Sequence, residues 1–345
     1  MKKLAITSPQ KIEIIDTEQP HAIGEWVLVK VIYAALCAEY KMFNEGVYNE
    51  FFGHEGVGEV VEVSERGNVN IGDRVVVPPL FSCGKCALCQ SGDYIHCQNS
   101  PDVIDSNYVQ NLTNQKEGTA VFAQYLLKPN RLLFKIPNDI SYEHAAMANC
   151  ALGPTFGALN TMDACAYHTV MITGLGSVGL GGIINAKFLG MKVIGIDLIP
   201  YRIDLAKKLG ADWVFNADDP DILEKIQNVN DGVGPDMALE CSGIISAQKM
   251  CINSIRRLGQ VSFIGGSLID TPIRITPELV IKGIKLIGAW HFNTNLISRM
   301  FEVIRNSTCK LDNLITNVFP MSRSQEAFEL SASPNHGKIL LSPWE

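Results

Sequence analysis

The stretch "TVMITGLGSVGL", residues 169–180, constrains the fold more than any other part of this chain. A β-branched run closes on Gly174, Gly176 and Gly179 in the spacing Gly-x-Gly-x-x-Gly, and a helical pattern follows at once. Glycines at those intervals mean little alone, but between a strand and a helix they form the first turn of a dinucleotide-binding βαβ unit. Gly174 allows the tight turn, Gly176 lets backbone approach a pyrophosphate, and Gly179 lets helix and strand pack closely. The helix N-terminus, with Ser177 and Val178 in its first turn, offers unpaired N–H donors to the anion.

The second strand, "KVIGID", ends at Asp197, eighteen residues beyond Gly179. A carboxylate there can accept hydrogen bonds from both ribose hydroxyls of the adenosine, which favours NAD. A 2′-phosphate would meet like charge at about 4 kcal/mol for an effective dielectric near 20, so NADP is disfavoured despite Arg202 five residues on. Taken singly, Asp197 reads as a helix cap before Pro200 and Arg202 as a solvated helix face. Strand candidates "DWVFNA", "DMALECSG", "GQVSFIGG" and "KLIGAW" continue the alternation and give about six parallel strands, the number of a doubly wound Rossmann sheet. Ile264 and Ala289, at the carboxyl ends of the later strands, are expected beside the nicotinamide.

The N-terminal part has a different texture. From Lys11 to about Lys135, short β-branched runs such as "EWVLVKVIYAAL", "GEVVEV" and "DRVVVP" alternate with Gly, Pro and Asn turns, as in an antiparallel sheet or barrel. After Trp290, "NLISRMFEVIRNS" reads as a helix and "GKILLSPWE" as a strand that rejoins the first domain. With 345 residues, 47% of them apolar, there is material for two cores. The balance of 29 basic to 36 acidic residues includes no basic run that could track a phosphate backbone, which argues against nucleic acid as a partner. No run of about 18 apolar residues and no signal peptide core is visible, so the expected location is the cytoplasm, away from membranes.

Ten cysteines in a reducing compartment are better read as metal ligands or buried fillers than as disulfides. "CGKCALCQSGDYIHC" spaces Cys83, Cys86, Cys89 and Cys97 as Cys-x-x-Cys-x-x-Cys-x7-Cys, which lets four thiolates wrap one tetrahedral ion. Zinc, an iron–sulfur cluster and disulfides compete for such a set. A ferredoxin-like cluster closes with three residues and a proline, whereas here the gap is seven and Gln98 follows. The expectation is a structural zinc with no open coordination position.

A second set is scattered. Cys37 in "AALCAEY", His54 in "GHEGVG" and Cys150 in "MANCALGP" supply two soft ligands and an imidazole, a trio that leaves one position open on zinc. Singly, the histidine would be a satisfied polar residue and each cysteine apolar filler. Cys165, Cys241, Cys251 and Cys309 have no such company and are expected in packing roles.

Over essentially its whole length the chain resembles the zinc-dependent medium-chain alcohol and polyol dehydrogenases, through "GHEGVG", "GDRV", the four-cysteine loop, "GLGSVGL" and the closing "GKILL". The resemblance implies an α/β architecture. A distorted antiparallel, GroES-like barrel would form the catalytic domain over residues 1–149 and 290–345, with a doubly wound Rossmann domain over 150–289 between its parts. It makes Cys37, His54 and Cys150 ligands of a catalytic zinc and places Glu55 beside that metal, as a neighbour or a fourth ligand. It implies hydride exchange between NAD and a small secondary alcohol, polyol or sugar-derived hydroxyl, or the matching ketone, by a homodimer or homotetramer.

The chain departs from the family at "CAEYK". A hydroxyl that normally relays the alcohol proton is replaced by Glu39, and the acid that normally supports the ligand histidine is replaced by Tyr40. Glu39 is expected to take over the proton as a general base; binding zinc, or contacting a substrate hydroxyl or amine, are its other possible roles. His291 is a further proton-carrier candidate, and Tyr40, Phe43, Phe51 and Trp290 are candidates for lining the cleft or for core. Two rival functions stay open, a reductase of the same superfamily without catalytic zinc and a non-catalytic dinucleotide-binding relative.

Overall fold

The computed structural model describes residues 1–100 and 106–344, and the chain divides into two compact units. The first takes Met1–Asn149, Asn293–Arg305 and Ile315–Glu345; the second takes Cys150–Phe292 and Asn306–Leu314.

The first unit opens with a hairpin of β1 (Lys2–Ser8) and β2 (Lys11–Asp16). Its longest strand, β3 (Trp26–Ala35), is β-branched on both faces and leads into the short helix α1 (Tyr40–Glu45). β4 (Gly56–Glu62) and β5 (Arg74–Val77) follow, each antiparallel to the strand before it. A lobe with the one-turn helix α2 (Ala87–Gln90) comes next, then α3 (Ser106–Thr113), β6 (Tyr125–Pro129), β7 (Phe134–Lys135) and α4 (Tyr142–Ala146). Ser141 caps α4 by accepting the His144 N–H on its hydroxyl at 3.2 Å, satisfying one of the donors a helix start leaves open.

In the second unit, α5 (Gly153–Thr161) precedes a strict alternation of strands and helices. β8 (Thr169–Thr173), α6 (Ser177–Phe188), β9 (Lys192–Asp197), α7 (Pro200–Leu209), β10 (Trp213–Asn216) and α8 (Ile222–Asn228) make one half. β11 (Met237–Glu240), α9 (Ile245–Ser254), β12 (Gln260–Phe263) and β13 (Lys285–Gly288) make the other. All six strands are parallel, in the order β10-β9-β8-β11-β12-β13, the doubly wound dinucleotide arrangement. β8 is buried along its whole length, as a central strand covered by helices on both faces must be.

The chain then returns through α10 (Ile297–Arg305) to the first unit, while α11 (Thr308–Leu314) packs on α6 and α7 and belongs with the second. The sequence-based bounds put 290–345 wholly in the first domain; the compact units give 290–292 and 306–314 to the second, where α11 packs on α6 and α7 with Leu311 and Leu314 buried. β14 (Ile315–Pro320), α12 (Ser324–Ala332) and β15 (Lys338–Ser342) complete the first unit, whose sheet runs β14-β15-β3-β4-β5-β7 with β6 also paired to β3. Its core centres on Phe52, Phe122 and Phe328, with ring centroids 5.2–6.0 Å apart. Phe43 joins that cluster at 5.6 Å from Phe328, so of its two expected roles it takes the core.

Candidate metal centres and cofactor turn

Strand pairing gathers the first set of ligands. β3 and β4 run antiparallel with Ala34 opposite Gly56, so Cys37, just past the end of β3, comes alongside His54 and Glu55, just before β4. The Ala35 N–H donates to the Glu55 carbonyl at 3.0 Å and fixes that juncture. On the other side of Glu55, the buried Asn149 donates its side-chain amide to the Gly56 carbonyl at 3.3 Å, and the next residue in the chain is Cys150. One ligand atom from each of Cys37, His54, Glu55 and Cys150 lies within 4.8 Å of all the others.

Two sulfurs, a nitrogen and a carboxylate oxygen converging this closely form a donor set suited to zinc, and the residues fit the ion. Glu55 is fully buried with its Oε1 2.6 Å from the Nζ of Lys338, itself fully buried in β15. Burial pushes the Glu55 carboxyl up to about 7, with Lys338 pulling the other way. A buried ion pair of this kind is costly to break from one side, because the remaining charge is left uncompensated. Burial works to lower the pKa of His54, but the Glu39 carboxylate and the Cys37 sulfur outweigh it and hold the imidazole well above its ordinary value. The Oε1 of Glu39 lies 2.7 Å from Nδ1 of His54, and its Oε2 accepts the Cys37 backbone N–H at 2.7 Å. Nε2 of His54 faces the other way, 3.8 Å from Glu55 Oε1.

The second set is local. Cys83, Cys86, Cys89 and Cys97 bring their sulfurs within 4.8 Å of one another around α2. Four sulfurs at the ~2.3 Å zinc–sulfur distance define a tetrahedron with edges of about 3.8 Å. The sulfurs of Cys86 and Cys97 are 3.9 Å apart. Backbone N–H groups of Lys85 and Cys86 and the amide of Asn99 point at the Cys83 sulfur, and with the Lys85 N–H as the largest cause they draw its thiol down to about 6. Burial pushes the Cys89 thiol up to about 12, so a thiolate there calls for a cation beside it. The fit is again to one closed, four-coordinate ion.

The cofactor turn lies in the second unit. Gly174 has φ +79°, and a Cβ on it would come within 2.8 Å of the Ser242 backbone nitrogen. A Cβ on Gly179 would sit 2.1 Å from the Gly174 carbonyl oxygen, so helix and turn touch only because residue 179 is glycine. A Cβ on Gly176, which caps α6, would meet nothing within 4 Å. It would instead fill the space in front of the helix N-terminus, headed by Ser177 and Val178, where a pyrophosphate binds in such turns. Asp197 ends β9 and is buried; its Oδ2 accepts the Leu175 N–H at 2.6 Å and its Oδ1 accepts the Ile199 N–H at 2.9 Å. The carboxylate is thereby tied to the glycine loop while keeping lone pairs for a ribose. Arg202 stands 3.8 Å away. Ile264 and Ala289 follow β12 and β13 at the carboxyl edge of the sheet.

Other expected residues are dispersed. His291 is buried, stacked on Phe292, with Nε2 3.9 Å from the Cys150 sulfur. Phe51 lies under the ammonium groups of Lys3 and Lys116, Tyr40 begins α1, and Trp290 is largely exposed. Cys251 is buried as expected, but Cys165 and Cys309 are exposed and fill no core, a correction to the packing role read for them. Sequence reasoning missed Lys338 and Asn149. The signal for Lys338 was a lone cation heading the wholly apolar run "ILL", and for Asn149 its place directly before Cys150.

Comparisons with known proteins place both parts of the chain in described families. Residues 24–138 match the family described as "Alcohol dehydrogenase GroES-like domain" and residues 177–306 the family described as "Zinc-binding dehydrogenase". A sorbitol dehydrogenase of Halalkalibacterium halodurans is 31% identical, with 92% of this chain and 91% of the relative covered. An L-threonine 3-dehydrogenase of Pyrococcus abyssi is 29% identical over 95% and 94% of the two chains. Among solved structures, the alcohol dehydrogenase TADH from Thermus sp. ATN1 superposes with a TM-score of 0.88 at 23% identity, covering 99% of each chain.

Proposed function

We propose a function from one premise: the chain belongs to the zinc-dependent medium-chain alcohol and polyol dehydrogenase family. It is an NAD-dependent oxidoreductase of small alcohols or polyols. In our proposal Cys37, His54 and Cys150 hold the catalytic zinc with Glu55 beside them, and Cys83, Cys86, Cys89 and Cys97 hold the structural one. The observation that carries this is the convergence of one sulfur, nitrogen or oxygen atom from each of Cys37, His54, Glu55 and Cys150 within 4.8 Å. When bound, zinc supplies a Lewis acid for the substrate oxygen and NAD supplies the hydride acceptor.

The chain's own part is to bind and orient. Two thiolates and a neutral imidazole cancel the double charge of zinc, so the site carries no excess positive field. The glycine turn at Gly174 and Gly176 and the first turn of α6, with Ser177, Val178 and Gly179, receive the pyrophosphate, and Asp197 accepts the ribose hydroxyls, with Arg202 near it. Ile264 and Ala289 flank the nicotinamide end. The substrate class we favour is a secondary alcohol or polyol, on the strength of the polyol dehydrogenases among the relatives.

Two further points belong to the proposal. β13 ends its sheet with one edge unpaired among the described residues, and Ile275, Val280 and Ile281 just before it are exposed, which supports pairing of two copies along this edge into a dimer. A monomer by light scattering at micromolar concentration would remove that part. No helix among the described residues is long and apolar enough to cross a membrane, and the described cysteines form no disulfide, which supports a reducing compartment such as the cytoplasm.

The test is NAD reduction against a panel of polyols, polyol phosphates, secondary alcohols and β-hydroxy amino acids, with zinc quantified in the same preparation. The expected result is NADH formation with at least one member of the panel and about two zinc per chain. Turnover with a single zinc per chain would point instead to a reductase that uses no catalytic metal.

A further inference from the structure

Glu39 occupies a position that its chemistry alone assigns to proton transfer, yet its surroundings describe a different task. The residue precedes α1 and accepts the Phe43 N–H on its backbone carbonyl at 3.0 Å, so its main chain is fixed by the helix start. Its side chain turns back and is buried, 4% exposed. Oε2 accepts the Cys37 N–H at 2.7 Å, and Oε1 lies 2.7 Å from His54 Nδ1. One carboxylate therefore spans two of the four residues whose donor atoms converge. Oε1 is buried away from solvent, and Oε2 is engaged by the Cys37 N–H.

A histidine that ligates a metal through one ring nitrogen nearly always donates the other ring N–H to a carboxylate or carbonyl, which fixes its tautomer and orientation. Nδ1 of His54 stands 2.7 Å from Oε1 of Glu39, a buried oxygen that makes no hydrogen bond as it stands, and Nε2 faces Glu55, so the two groups are within reach of that arrangement. We infer that Glu39 is a positioning residue, a single carboxylate clamp that sets the His54 tautomer and the Cys37 backbone together, and is not the group that carries the alcohol proton. The inference rests on the zinc assignment proposed above. It deepens that assignment by naming what holds the open site in shape and by moving the proton path off residue 39.

The substitution that separates the two roles is Glu39→Gln, nearly isosteric with the original. A glutamine amide has one acceptor oxygen and one NH2 group, so it can accept from either the Cys37 N–H or His54 Nδ1 but not from both. Zinc retention at the open site is measured by competition with a chromophoric chelator. Cobalt(II)-substituted protein reports the coordination geometry through its visible spectrum, and kcat is followed against pH. In the wild-type protein this site must first be shown to hold metal; if it does not, the zinc assignment itself fails, and the clamp is not the cause.

Given a loaded wild-type site, Glu39→Gln is expected to weaken zinc retention there by about 10- to 100-fold and to shift the cobalt spectrum, with the pH midpoints of kcat preserved. Glu39→Asp, which keeps the charge but reaches less far, is expected to lose less, and it carries the test should the glutamine variant fail to fold. Unchanged metal retention and spectrum in both variants would overturn the clamp. Loss of a titrating limb from the kcat profile at unchanged metal affinity would overturn it too, and would return Glu39 to the role of general base.

Discussion

Cys37→Ala should hold one zinc per chain where the parent holds two, and its kcat/KM toward any alcohol it oxidises should fall by about 10,000-fold, roughly 5.4 kcal/mol of transition-state stabilisation. The size of the effect follows from what the thiolate does. Cys37 is half-buried at the end of the β3–β4 register, where it is one of only two sulfurs in the open cluster. Removing it leaves His54, Cys150 and the lysine-paired Glu55, a set with one negative charge fewer to offset the ion. The fold should not notice. Cys37 belongs to neither aromatic nor aliphatic core of its unit, so the midpoint of urea unfolding should stay within about 0.5 kcal/mol of the parent, as for other substitutions outside the core. Metal analysis, steady-state kinetics and an unfolding curve on one preparation check all three statements. Unimpaired turnover with one zinc per chain would mean that the reaction needs no metal at this site.

How much of this was legible in the sequence depends on how far apart the cooperating residues lie. The cofactor turn and the four-cysteine lobe were readable because each is a local device. Gly174, Gly176 and Gly179 act within a single turn, and Cys83 to Cys97 within fifteen residues. The parallel sheet was readable for a related reason, since alternation of strand and helix leaves few other ways to bury both faces. The open cluster draws on positions 37, 54, 55 and 150, brought together by strand register, and spacing alone could suggest it only through the resemblance to known dehydrogenases. Two features lay beyond that reach. Lys338 meets Glu55 across 283 residues, and nothing in either neighbourhood announces the partner. The direction taken by the Glu39 side chain is set by the backbone of α1 and the reach of one methylene, which residue type does not encode. The exposed Cys165 and Cys309 show the converse, that a cysteine with no visible company need not be core.

The four-cysteine lobe should respond to metal loss in a way the open cluster does not. Between Cys83 and Cys97 the only buried residues are Cys89 and Cys97, two of the ligands themselves. Its regular structure is one four-residue helix and one three-residue turn at Tyr94–His96, and no strand of the sheet passes through it. Ordering fifteen residues costs on the order of 15–30 kcal/mol of backbone entropy, and a lobe without an apolar interior has little to set against it except the ion. Cys89→Ser should therefore lose one zinc per chain and melt the lobe locally. Backbone amides of residues 84–99 should exchange at least about 100-fold faster, and a protease should cut there first, while the sheet strands stay protected. Zinc at the open cluster should remain, together with turnover at low temperature. The contrast with Cys37→Ala is the informative part, because one substitution removes activity and spares the fold, and the other unravels a lobe and spares the chemistry. Hydrogen exchange with mass spectrometry on the two variants reads both outcomes. If the lobe of Cys89→Ser kept its protection, side-chain packing would be sufficient to hold it and a structural ion would have no work to do there.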